Sequence, residues 1–291
     1  MSTTPEATSR TTSGYAGAAG LLLASMLCQQ IGAALAVLVF PAAGPLGMVF
    51  LRLVFSAVIL FAVARPQLRG HGRAAWWTAA WFGAAMAAMN SFIYASIERV
   101  PLGVAVTLEV LGPLVLSVIA SRRASAILWA VLAFAGVALL GRGGLSGGLD
   151  PLGILFALAA AACWALYILL SARTGAAFPG LGGLALAMAF GTVIATPGAV
   201  FTAGTALLDP LVLAVGLGVA LLSSAVPYAF ELISLRRIPA ATFSILTSMA
   251  PAVAALAGFL VLGQELSWTH LVAIALVVAA SIGAVRTAPP R

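Results

Sequence analysis

Apolar stretches of about 20 residues follow one another along almost the whole chain, and each matches the length of a helix crossing a ~30 Å hydrocarbon layer. Only short connections rich in Gly, Pro and Arg separate them. In lipid, backbone N–H and C=O groups find partners only within the chain, so such stretches form helices or a closed barrel. The alternating pattern of barrel strands is absent. Ten helical spans are expected, at 15–39, 46–64, 74–97, 101–120, 124–141, 151–172, 180–201, 209–235, 239–262 and 267–285. Composition agrees. The chain is 63% hydrophobic and 7% charged, with mean hydropathy +1.16, so it has too few polar side chains to cover a soluble core of 291 residues.

The charges report orientation. All fourteen basic residues are Arg, and eleven of them (Arg10, Arg65, Arg69, Arg73, Arg122, Arg123, Arg173, Arg236, Arg237, Arg286 and Arg291) fall at every second boundary between spans. Only Arg99 and Arg142 fall on the other side, and Arg52 lies inside a span. The positive-inside rule makes both termini cytoplasmic. The pI of about 10.7 is therefore read as topology and attraction to anionic lipid rather than as a nucleic-acid surface. The absence of Lys excludes a Walker-A phosphate loop and Schiff-base cofactor chemistry. Cys28 and Cys163 both sit in apolar runs and are read as packing residues. The first apolar run is too long for a cleaved signal peptide and is expected to be a retained span.

The chain repeats itself at an offset of 138 residues. Aligning 89–113 with 227–251 gives six identities: Phe92/Phe230, Ser96/Ser234, Arg99/Arg237, Pro101/Pro239, Leu108/Leu246 and Pro113/Pro251. Shared composition alone would give about two. Each copy holds five spans, and an odd number inverts the second copy in the membrane. The arginines agree: Arg65, Arg69 and Arg73 align with Ala203, Leu207 and Leu211, and Arg122 and Arg123 with Leu260 and Val261. The expected organisation is all-α, with a disordered cytoplasmic tail at 1–14, inverted five-helix repeats at 15–141 and 151–285, and a cytoplasmic tail at 286–291.

Three formally charged residues lie within spans: Arg52, Glu109 and Glu231. Ionisable side chains at membrane depth are costly and usually face the bundle interior. Arg52 and Glu109 are each roughly 10–14 Å from the outer face, counting 1.5 Å per helical residue. They form either a buried ion pair or a site where Glu109 meets a substrate ammonium or a proton. Glu231 is close enough to Arg236 and Arg237 to snorkel to them. Pro113 and Pro251 occupy matching mid-span positions, where a proline bends a helix for packing or breaks it at a substrate region. Mid-span polar residues include Gln29, Gln30, Asn90, Ser91, Tyr94, Thr107, Trp164, Tyr167, Ser223, Ser224, Tyr228, Thr247 and Ser248. Gln29 matches Tyr167 and Asn90 matches Tyr228 under the offset, as expected of a shared cavity, although any one alone could be an interhelical hydrogen bond. His71 and His270 lie near span ends and are read as interfacial. No metal motif, cofactor loop or catalytic triad can be assembled.

The segments MNSFIYASIERVPLGVAVTLEVLGPLVLSVIASRR (89–123), ACWALYILLSARTGA (162–176) and SSAVPYAFELISLRRIPAATFSILTSMAPAVAALAGFLVLGQELS (223–267) resemble the drug/metabolite transporter superfamily of the EamA type, and most of all its bacterial threonine/homoserine exporters. The resemblance runs from about residue 20 to 286. It implies a multi-pass exporter of small amino acids in the bacterial inner membrane, driven by the proton gradient and working by alternating access. Glu109 matches the glutamate of the LE..GPL pattern and Arg52 the LRL arginine. Gln264 departs from the pattern, which often has Glu there.

The expected substrate or proton-coupling set is therefore Glu109, Arg52, Asn90, Tyr94, Gln29, Trp164, Tyr167, Tyr228, Thr247 and Ser248, with helix breaks at Pro113 and Pro251. Neither cofactor nor metal is expected. The expected partners are a small-molecule substrate and the lipid bilayer, with no nucleic acid; a homodimer stays open. Two alternatives remain: export of another small metabolite or drug by the same fold, and a membrane-embedded enzyme or scaffold. A drug pocket should be rich in aromatics, which are 8% here, and an enzyme should show a clustered catalytic set.

Overall fold

The computed structural model describes residues 6–287 except 122–123, 146–148, 228–229, 231–233 and 235–245. Tyr228, Glu231, Arg122, Arg123, Arg236 and Arg237 thus lie outside the described residues. The first helical element, α1, runs Glu6–Ala64 and is broken at Gly44, whose φ of 65° and ψ of 167° leave the helical region. Glycine has no Cβ to clash there, and Pro45 pushes its predecessor out of the α region. The two halves carry the first two expected spans. The helix starts at Glu6, inside the stretch 1–14 expected as a disordered tail. Once a long apolar helix exists, extending it adds one bond per residue fixed, and no Pro or Gly interrupts 6–13.

Next come α2 (Arg73–Ile97), α3 (Leu102–Glu109), α4 (Leu111–Ser121), α5 (Ala124–Leu145), α6 (Pro151–Ala177) and α7 (Gly182–Ala203). A 3₁₀ turn, Gly204–Leu208, leads to α8 (Pro210–Ala220), which runs into a π-helical turn, Leu221–Ala225. The described chain closes with α9 (Ala250–Leu262) and α10 (Trp268–Thr287). Both α6 and α8 start with Asp-Pro-Leu. Asp150 caps the Leu152 N–H at 2.8 Å and Asp209 caps those of Leu211 and Val212 at 2.8 and 3.1 Å, with proline at the first helical position.

The span expected over 101–120 is not one helix. It breaks between α3 and α4 at Val110, three residues before Pro113. The second proline behaves alike: turn residues Ser248 and Met249 precede α9, which carries Pro251 in its first turn. A proline lacks the N–H that would bond the carbonyl four residues earlier. The residues four before the two prolines are Glu109 and Thr247, which are 138 residues apart.

The packing inverts that of a soluble protein. Fully buried positions are mostly small, such as Ala34, Ala36, Ala105, Ala157, Ala187, Val219 and Ala254, while Phe201, Trp268, Phe134 and Leu260 stand outside. Lipid tails solvate the large side chains, and small residues let helix backbones approach. Within the described residues, 19–64, 151–177 and 182–208 are each long and apolar enough to cross a membrane, the first long enough to do so twice. α1 packs on α7 and α8, α2 on α6 and α7, both halves of the broken span on α6, α3 on α9, and α5 on α10.

Two polar joints hold the helix ends. Arg99, after α2, pairs with Glu98 at 2.6 Å and reaches Asp150 at 3.6 Å, and its guanidinium lies over the Phe156 ring. Gln264, after α9, accepts the Leu102 N–H through Oε1 at 3.0 Å and so caps α3. Gln264 thus ties the end of α9 to the helix that carries Glu109.

Candidate functional site

Arg52 sits in the second half of α1, seven residues beyond Pro45, and is half-buried. Its Nη2 donates to the Ser223 carbonyl at 3.3 Å. That carbonyl is available for a reason legible in the chain. Pro227, four residues on, has no N–H to offer it, and the π turn bonds Val226 N–H back to Leu221 instead. The guanidinium also lies over the Tyr94 ring, 5.9 Å from its centroid, and Tyr94 packs against Phe40 at 5.6 Å. Ser223 Oγ donates to the Gln29 carbonyl at 3.4 Å, and Ser25 Oγ to the Pro227 carbonyl at 3.3 Å. Both halves of α1, the end of α2 and the π turn therefore converge on one guanidinium.

Glu109 is the last residue of α3, at the break forced by Pro113. It is half-buried, and among the described residues it has neither a hydrogen bond nor an ion pair. Arg52 is close enough to act on it electrostatically. Among the described residues no contact ion pair joins Arg52 to Glu109, and Arg52 bonds the Ser223 carbonyl. Arg52 and Glu109 are thus two ionisable residues within electrostatic reach of each other and without a contact between them.

The remaining expected residues divide. Tyr94 is 1% exposed, and its hydroxyl has no partner among the described residues. Asn90, one turn earlier on α2, is buried, and its Nδ2 donates to the Met86 carbonyl of its own helix at 2.8 Å. Gln29 offers its main-chain carbonyl to the site. Thr247 and Ser248 lie at the turn before α9. Trp164 packs against the core on α6, one turn beyond Ala161, which touches Gly112 of the broken span. Tyr167 belongs elsewhere. Its ring is tilted against that of Phe82, centroids 5.0 Å apart, and it lines a separate cavity of about 160 Å³ with Thr174 and Gly183, sixteen residues along α6 from Pro151. His71 packs on Phe178, and His270 is in the first turn of α10. Cys28 and Cys163 are free thiols, and no His, Cys, Asp and Glu cluster among the described residues could hold a metal.

Sequence reasoning missed Pro227 and the main-chain carbonyl it frees. The signal was present as a proline four residues after a serine pair inside an apolar run. A groove of about 860 Å³ between α9 and α10, lined by Leu256, Phe259, Ile274 and Val278 among others, holds none of the expected site residues.

With this geometry in hand, the chain can be set beside known proteins. The pattern of the EamA-like transporter family matches residues 151–286. The threonine/homoserine exporters RhtA of Escherichia coli (strain K12) and Salmonella typhimurium (strain SL1344) are each 39% identical over 268 residues, covering 92% of this chain and 90% of theirs. A solved crystal structure shares the fold, with a TM-score of 0.59 at 18% identity, over 94% of this chain and 98% of the other.

Proposed function

The chain belongs to the EamA-like transporter family, and from that premise we propose that it exports small zwitterionic amino acids of the threonine and homoserine kind from the cytoplasm. Ten spans, arranged as two inverted repeats with both termini in the cytoplasm, rock around a central site in the inner membrane. The relatives named above are threonine/homoserine exporters, and threonine and homoserine each carry one ammonium and one carboxylate. The observation that carries the reading is the separated charge pair. Glu109 has no partner among the described residues, and Arg52, placed near it, uses one N–H on Ser223 and keeps four more donors. Glu109 takes the cargo ammonium and Arg52 takes the carboxylate. The broken helices at Pro113 and Pro251 line this region and supply the bistable backbone that alternating access needs.

Coupling follows from the same carboxylate. Facing outward, Glu109 takes up a proton and releases the ammonium, so the cargo departs. Neutral, it returns inward, gives its proton to the cytoplasm and accepts the next ammonium. One proton enters for each zwitterion that leaves.

The test uses proteoliposomes loaded with radiolabelled threonine. An acidic outer buffer is expected to speed efflux at least about tenfold over equal pH, and dissipating the gradient with an ionophore to remove the gain. Efflux indifferent to the gradient would contradict the coupling, and no threonine or homoserine efflux under either condition would contradict the cargo.

A further inference from the structure

Two buried hydroxyls in this region have no hydrogen-bond partner among the described residues. Tyr94 Oη is buried without a hydrogen-bond partner among the described residues, and so is Ser224 Oγ, whose residue is 0% exposed and directly follows the Ser223 that holds Arg52. A buried polar atom without a partner is destabilising, and each case in a native structure calls for an explanation. For Tyr94 the explanation cannot be packing. A phenylalanine would give Phe40 the same ring to tilt against and Arg52 the same face to lie over, with no donor left unsatisfied. The hydroxyl is the one feature of the side chain that the resting protein does not use.

We infer that the Tyr94 hydroxyl is the specificity element of the transport site: it hydrogen-bonds the side-chain hydroxyl of the cargo and so selects hydroxylated amino acids over their aliphatic counterparts. The inference rests on the export reading above and goes beyond it. Glu109 and Arg52 read the two charges, which every α-amino acid carries, so they cannot distinguish one cargo from another. Discrimination needs a group that meets the side chain, and the partnerless phenol over whose ring Arg52 lies fits that task. A site that hydrogen-bonds a substrate hydroxyl rejects the analogue lacking it strongly, because its own buried donor then stays unpaired. Glu109 and Arg52 are the only described charges in this region, so the contact is hydroxyl to hydroxyl.

The experiment compares threonine with 2-aminobutyrate, which is threonine without its hydroxyl, in proteoliposomes carrying the wild type or Tyr94→Phe. In the wild type, threonine leaves at least about thirtyfold faster than 2-aminobutyrate. In Tyr94→Phe, the ratio of threonine to 2-aminobutyrate efflux falls from at least about thirtyfold to about one. A thermal-shift measurement on purified protein keeps the test clear of folding. The variant melts no lower than the wild type, and threonine loses its extra protection over 2-aminobutyrate. A variant that keeps the wild-type preference, or loses both cargoes together while melting lower, overturns the inference and leaves the export reading intact. Absence of threonine efflux from the wild type would instead strike at the export reading.

Discussion

Glu109→Gln is expected to reach the membrane in normal amount and to export threonine at less than about one hundredth of the wild-type rate. The substitution keeps shape and hydrogen-bonding capacity and removes one negative charge. A neutral amide cannot hold an ammonium as an ion pair, nor can it carry a proton across. In the low dielectric of the spans, loss of a charge-assisted contact is worth roughly 3 kcal/mol, or about a hundredfold in rate. Insertion should be unharmed, since removing a charge from the centre of a span lowers the cost of burying it there. Glu109 makes no hydrogen bond or ion pair among the described residues, so no structural partner is stranded by the change. Export is measured as radiolabelled efflux from vesicles matched for protein content; a rate near the wild type would contradict the role given to this carboxylate.

Gly112→Leu is expected to fail earlier, at folding. Gly112 lies three residues beyond Glu109 on the far side of the break, and a Cβ placed on it would run into the backbone carbonyl of Ala161 on α6. Backbone on both sides cannot yield as a flexible side chain can. The helices would have to part by an ångström or more, and overpacking of that kind costs about 3 kcal/mol or more. Little monodisperse protein should be recovered in detergent, and what is recovered should melt well below the wild type. Recovery and melting equal to the wild type would mean that the contact between α4 and α6 is not a tight one. The contrast with Glu109→Gln is useful. Two positions three residues apart are predicted to lose export by different routes, one with the fold intact and one without it.

Much of this was legible in the chain because membranes restrict the choices. Apolar runs of bilayer length dictated helices, and the two mid-span prolines marked where helices break, down to matching turns at Val110 and Ser248. The rest was hidden for a physical reason. Sequence patterns register side chains, whereas the decisive partner of Arg52 is a main-chain carbonyl, released by Pro227 and by a π turn that no residue type announces. Without that carbonyl in view, an ion pair between Arg52 and Glu109 was as natural an expectation as an open site. Tyr167 shares an offset with Gln29, and its place along α6 sets it against Phe82. Gln264, which stood out as a departure from the family pattern, accepts the backbone N–H of Leu102, a role its side-chain oxygen shares with a glutamate's.

The central claim is that one site reads both charges of a zwitterion, with Glu109 on the ammonium and Arg52 on the carboxylate. The most direct test is displacement of radiolabelled threonine from the purified protein at equilibrium by analogues lacking one charge each. Unlabelled threonine and homoserine are predicted to displace it, whereas 3-hydroxybutyrate, without the ammonium, and threoninol, without the carboxylate, are predicted to need at least about a hundredfold higher concentration. Displacement by either analogue at the concentration that suffices for threonine would contradict the account.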